Sequence, residues 1–244
     1  MVNKAYETVE VITNEKIASN IYKMVVKGNF VAKAGQFYMV KCFEDKTMLP
    51  RPISICDVTD TTLTLLYAVV GKGTKIMAEK TVGETVEVLG PLGNGFNIDS
   101  SKVGKKVALV AGGIGIAPML YLAKEIDAEI DLYLGFRDET YFVDEFKPYV
   151  DNIYITTNDG SVGHKGFVTE IIKKNYYDKI YCCGPNPMMK SVKNLGLNIP
   201  IDLSLESRMA CGIGACLACS CRVKDQMRRI CKDGPIFEAS EVVF

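Results

Sequence analysis

The sequence predicts a multidomain β plus α/β protein: an antiparallel β-barrel first, then a parallel α/β domain, then a small cysteine-rich domain. Three observations predict it. The first hundred residues alternate in short β-rich segments punctuated by Gly, Asp and Asn. The middle of the chain changes to strands followed by segments of helical period. Residues 211 to 231 then hold five of the nine cysteines, in RMACGIGACLACSCRVKDQMRRICKDG. The expected boundaries are 1–98, 99–202 and 203–244.

Composition narrows the class. The 244 residues are enough to bury a sizeable core, so the fold does not need a metal to hold it together. Lysine plus arginine equal aspartate plus glutamate at 29 each, which gives no global reason to expect nucleic acid or an acidic membrane surface as a partner. The opening MVNKAYETVEVI lacks the apolar stretch of a signal peptide, and no run of eighteen apolar residues occurs. A cytoplasmic protein without a membrane partner is expected. In a reducing compartment nine cysteines suit metal or redox chemistry better than disulfides.

The barrel is expected from YETVEVITNEKIASNIYKMVVKG, GQFYMVKCF, RPISICDVTDTTLTLLYAVV and GETVEVLGPLG. Within it Arg51 stands between two prolines that fix its backbone, with Ser54 two positions beyond Pro52. A rigid arginine there can hold a phosphate bidentately, and a serine can bond the edge of a flavin ring. Gly71-Lys72-Gly73-Thr74 has the composition of an anion-binding turn.

In the α/β domain, KKVALVAGGIGIAPMLYLAKEI reads as strand, glycine turn and helix. Gly112, Gly113 and Gly115 permit close approach of a pyrophosphate, and Pro118 fits a first helical turn. Further strands are expected at AEIDLYLGFRDE, DNIYITTNDG and DKIYCCGPNPMM, which implies ligands at the carboxyl ends of a parallel sheet. Arg137 could attract a 2′-phosphate, but Asp138 and Glu139 beside it repel one, so NAD is expected over NADP. His164 is the only histidine and is assigned no catalytic role.

Cys211, Cys216 and Cys219 are spaced C-x4-C-x2-C, and eleven residues separate Cys219 from Cys231, which resembles the plant-type spacing for a 2Fe-2S cluster. Small residues between them let backbone amides face the sulfurs. A zinc site is the chemical rival, though its ligands usually come as paired C-x2-4-C clips. Cys221 could replace Cys231 as the fourth ligand, but it would crowd one side of the cluster.

RPIS, GKGT, LGPLGNGF, VAGGIGIAP and CCGPNPMM in this order resemble the ferredoxin-NADP reductase superfamily over residues 1 to about 200. ESRMACGIGACLACSCRV with the following CKDGPIF is similar to the electron-transfer subunits of class 1B dihydroorotate dehydrogenases, and that likeness spans the chain. The resemblance implies FAD, a 2Fe-2S cluster and NAD as substrate, with no protein acid, base or nucleophile. It places Arg51, Pro52, Ile53, Ser54, Tyr67, Val69, Val70, Gly73 and Thr74 on FAD. Gly113, Gly115, Pro118, Cys183, Gly184 and Pro185 fall on the nicotinamide nucleotide, and Cys211, Cys216, Cys219 and Cys231 on the cluster. It also implies an FMN-containing catalytic partner subunit, in a heterotetramer with two copies of each, serving pyrimidine biosynthesis. Two rival readings stand beside it: the redox subunit of a ferredoxin-dependent transhydrogenase or sulfur-reducing complex, and a non-enzymatic iron-sulfur sensing module.

Overall fold

A computed structural model describes residues 5–42 and 49–244. Strands β1 (Glu7–Ala18), β2 (Ile21–Lys27), β3 (Phe37–Lys41), β4 (Arg51–Val58) and β5 (Thr62–Ala68) precede a short helix α1 (Lys72–Ala78) and β6 (Thr85–Leu92). The six strands close in the order β1-β2-β5-β4-β3-β6, every pair antiparallel. Met24, Val26, Ile55, Leu63 and Leu65 fill the interior and are wholly buried, as the period-two pattern requires.

After a turn of helix α2 (Ser100–Val103) come β7 (Lys106–Gly112), α3 (Ala117–Glu125), β8 (Glu129–Phe136), β9 (Asn152–Thr157) and β10 (His164–Lys165). They are followed by β11 (Lys179–Cys183), α4 (Asn186–Lys193) and β12 (Ile201–Ser204). Strands β7 and β11 are buried almost throughout, the pattern of a parallel sheet covered on both faces. The order is β10-β9-β8-β7-β11-β12, all parallel. The chain therefore reverses its direction of travel between β7 and β11, and a crevice opens beyond their carboxyl ends.

The carboxyl-terminal segment forms the hairpin β13 (Ser220–Val223) and β14 (Gln226–Arg229), then α5 (Ile230–Asp233) and β15 (Ile236–Glu238). Strand β15 pairs antiparallel with β12 and becomes the seventh strand of the sheet. The boundary expected between 202 and 203 thus falls within β12. Ile236 and Phe237 bury their side chains by joining the sheet edge, which a three-residue strand could not do alone.

Barrel and sheet are locked together by directed contacts. Lys124 of α3 pairs with Asp57 of β4 at 2.6 Å, and Tyr121 donates to the carbonyl of Ala32 at 3.0 Å. Asn94, just past β6, bonds residues 234 and 236 on both sides of Pro235: its N–H donates to the Gly234 carbonyl at 2.6 Å, and its side chain exchanges 3.0 Å bonds with Ile236. The cysteine segment is fixed to barrel and sheet alike.

Candidate functional site

A cavity of about 320 Å³ opens where the three parts of the chain meet. The barrel contributes Arg51, Pro52, Ile53, Ser54, Tyr67, Val70 and Thr74; the turn after β7 contributes Ile114 and Ala117; the segment after β12 contributes Ser204 to Ser207 and Met209, with Pro235. Arg51 opens β4 and its guanidinium lies on the backbone of Gly73. A Cβ at Gly73 would come within 2.5 Å of that group, so only glycine leaves the arginine its place. Thr74 holds the turn shut, its hydroxyl accepting from the N–H groups of Val70 and Gly71 at 2.9 and 3.1 Å. The Tyr67 hydroxyl donates to Asn14 at 2.9 Å and burial pushes it above the ordinary phenol range, which keeps it neutral. Val69 stands apart from the cavity wall, its N–H bound to the Asn20 carbonyl at 2.8 Å. An apolar, one-sided slot with an arginine at its mouth suits a flavin ring with its pyrophosphate.

Glu206 projects into this cavity. Water reaches it, yet surrounding protein desolvates the carboxyl and raises its pKa. Cys183, at the end of β11, feels its charge and bonds Ser204.

A second cavity, of about 410 Å³, lies across the switch point and is lined by Gly112, Gly113, Gly135 to Arg137, Asn158, Phe167, Pro185 and Met188 among others. Gly113 has a φ of +54°, the left-handed region that glycine tolerates. Gly115 and Gly184 sit beneath the cavity: a Cβ on Gly115 would collide with the Cys183 carbonyl, and one on Gly184 would meet Met188 at 2.6 Å. These glycines let the β7 and β11 turns touch. Pro118 is buried in the first turn of α3 and faces neither cavity, and Cys183 is fully buried. At the far end Asp138 pairs with Arg137 at 3.3 Å, and Glu139 accepts from the Ser19 N–H at 2.9 Å. The Asp138 carboxylate beside the arginine is unfavourable to a 2′-phosphate.

The cysteines form two pairs. The Cys216 N–H donates to Cys211 Sγ at 3.4 Å, and the Cys231 N–H donates to Cys219 Sγ at 3.4 Å. The thiols of each pair lie close enough to influence one another's ionisation. Burial pushes the Cys211 thiol up, but amides of Cys216, Ile213 and Ala215 outweigh it and bring the thiol down to about 6. Among the described residues no three Cys, His, Asp or Glu side chains converge as a single ion requires. Two thiol pairs instead match the demand of a binuclear cluster for two thiolates on each iron. Cys221 lies on β13, half-buried among apolar side chains, and burial raises its pKa.

Several lining residues escaped the sequence reading. Glu206 and Met209 precede the cysteine motif and reach the first cavity only because β12 ends there. Phe167 is 67% exposed, yet it opens on the second cavity while Gly166 is bonded to Thr157 and Val168 is buried. Its signal in sequence was the large aromatic in the glycine-rich GHKGFV.

Two family models match: the iron-sulfur cluster binding domain of dihydroorotate dehydrogenase B over residues 206–243, and an oxidoreductase NAD-binding domain over residues 109–194. The electron transfer subunit of dihydroorotate dehydrogenase B (NAD(+)) from Clostridium acetobutylicum is 45% identical, covering 98% of this chain and 97% of the relative. The same subunit from Clostridium perfringens is 47% identical over 95% of each. Among solved structures, an NADH-dependent reduced ferredoxin-NADP oxidoreductase superposes with a TM-score of 0.86 at 32% identity, covering 100% of this chain and 91% of that one. Phthalate dioxygenase reductase, at 20% identity and a TM-score of 0.67, shares the fold over 90% of this chain and 87% of its own.

Proposed function

We propose a path for electrons through this chain from one premise: it belongs to the family of dihydroorotate dehydrogenase B (NAD(+)) electron transfer subunits. The chain is an oxidoreductase subunit that takes electrons at a 2Fe-2S cluster and delivers them by way of FAD to NAD+, in pyrimidine biosynthesis. The observation that carries this reading is the shared wall. Met209 and Pro235 line the flavin cavity, and each lies within four residues of a cysteine of the two pairs. The backbone between cluster and flavin is thus a few residues long on either side.

Flavin held in this cavity would supply the exchange between single electrons and the hydride of a nicotinamide. The protein positions and insulates. Arg51, seated on Gly73, would take the flavin pyrophosphate; Pro52, Ile53, Ser54, Tyr67 and Val70 would line the ring, with Val69 just outside the cavity wall. Gly113 admits the dinucleotide pyrophosphate, Gly115 and Pro118 hold the helix that follows, and Cys183, Gly184 and Pro185 bring the nicotinamide up to the flavin cavity. Phe167 offers a face to the adenine. Cys211 and Cys216 as one pair, and Cys219 and Cys231 as the other, would hold the cluster.

The electron donor is a separate FMN-bearing subunit that oxidises dihydroorotate, in a cytoplasmic heterotetramer with two copies of each chain. Among the described residues no helix is long and apolar enough to cross a membrane. Ile213 and Leu217, 49% and 61% exposed on the cysteine loop beside exposed Cys216, form part of the contact. The 32% identity to the ferredoxin-NADP oxidoreductase favours a second reading, a subunit that exchanges electrons between ferredoxin and two nicotinamide pools. Anaerobic purification of the chain with its native partner decides between them. Dihydroorotate-dependent NADH formation, lost when the partner is stripped away, is the expected result. A flavin- and iron-loaded complex inert to dihydroorotate but active with reduced ferredoxin would transfer the chain to the second reading.

A further inference from the structure

The helix bearing the last of the four paired thiols is tied to the loop bearing the other three by one side chain. Arg229 Nε and Nη2 donate to the two oxygens of Asp233 at 3.0 and 3.1 Å, while Nη1 donates to the Gly214 carbonyl at 3.2 Å. The Arg229 backbone N–H donates to the same carboxylate at 2.8 Å, so the fork is fixed at its base as well. On its other side the Gly214 N–H lies near enough to the Cys231 sulfur to favour its thiolate, against the burial that pushes that thiol up. Gly214 has a φ of +83°, and a Cβ there would meet the Lys232 side chain at 2.7 Å. Gly214 thus presents its carbonyl to the guanidinium and its N–H toward the sulfur, on the peptides either side of its Cα, and only glycine fits there.

An exposed ion pair one helical turn long contributes little. This one differs in two ways. Its arginine is 30% and its aspartate 20% exposed, and its third donor crosses to a different segment of the chain. The guanidinium also lies close enough to Cys219 and Cys231 to feel their charge.

We infer that Arg229 is a positioning residue for the iron-sulfur cluster: it aims the Gly214 amide at the Cys231 sulfur and sets a positive charge beside the Cys219–Cys231 pair, so favouring the reduced cluster. Reduction adds a negative charge shared between iron and sulfur. An amide directed at a ligating sulfur and a nearby cation both stabilise that charge, while Asp233 keeps the guanidinium in register. The inference rests on the reading of these cysteines as cluster ligands.

The test is a redox titration of the full-length chain, purified anaerobically with iron and flavin assayed, and followed by the paramagnetic signal of the reduced cluster. R229Q is expected to retain its iron while its midpoint moves negative, the equilibrium constant for reduction falling about tenfold. R229K keeps the charge but cannot bond Asp233 and Gly214 together, and is expected to show a smaller shift in the same direction. Full iron content with an unchanged midpoint in R229Q overturns the inference. Should R229Q not hold its cluster, R229K decides: a negative shift supports the role and an unchanged midpoint removes it. Wild-type protein that binds no iron would instead sink the functional reading itself.

Discussion

Cys182 and Cys183 on β11 and the cysteines of the 211–219 loop are the same residue in opposite circumstances. On β11 the backbone is committed to ladders on both sides: Cys182 sits between Val110 and Leu203, and Cys183 between Ala111 and Ser204. No amide is left for the sulfur, and burial drives both thiols well above their ordinary range. In the loop no ladder exists. Gly212 and Gly214 at φ of +71° and +83° turn the chain so that free amides meet Cys211, and its thiol falls to about 6. Ladders on both sides leave the β11 sulfurs no backbone donor, whereas the open loop turns donors onto Cys211, because a backbone N–H serves one or the other.

The sharpest way to break this contrast is to exchange serine into each group. C216S or C231S should abolish the cluster, taking the iron content and the visible absorbance with it and stopping electron delivery from the partner. C182S should leave iron untouched. Instead it places a hydroxyl in a dry strand and lowers stability by about 1–3 kcal/mol, read from the shift in a urea unfolding curve. A loss of iron in C182S would end the division into two populations.

The far end of the same sheet sharpens the point with a charge. Asp131 on β8 is 1% exposed, and burial disfavours its carboxylate. Tyr177 at 2.6 Å, Asn152 at 2.8 Å and Lys173 at 3.1 Å donate to it and outweigh that, so its pKa is lowered. These partners are side chains, since the ladder has taken the amides. A carboxyl with a depressed folded pKa contributes stability above its unfolded value near 3.9, and that contribution is lost as pH falls through the folded value. D131A should cost about 3 kcal/mol at pH 7. The penalty should shrink toward acid, when urea midpoints of the two proteins are compared from pH 7 to 3. A penalty independent of pH would mean that Asp131 acts through packing alone.

Much of this was legible in sequence, for reasons that the contrast explains. The barrel and sheet announce themselves by local period, and the paired thiols by local spacing, because both are set within a few residues. What pairs at long range was not legible. Nothing in IFE says that β15 will close the sheet on β12, and nothing near Glu206 or Met209 says that they will wall the cavity beside Arg51. Pro118 illustrates the converse: its place in a first helical turn was readable, but its burial depends on the packing of α3 against β4.

The smallest expected effect tests the most specific assignment. By spacing alone Cys221 could stand in for Cys231, since both follow the C-x4-C-x2-C run. The structure puts Cys221 in a ladder, opposite Arg228 in the β13–β14 hairpin, whereas the Cys231 N–H reaches Cys219 Sγ from the start of α5. By the rule drawn from β11, a cysteine in a ladder is a packing residue. C221S should therefore keep its iron and its midpoint, and cost less than about 1 kcal/mol in a half-buried site. If C221S lost the cluster while C231S kept it, ladder and ligand would be compatible after all.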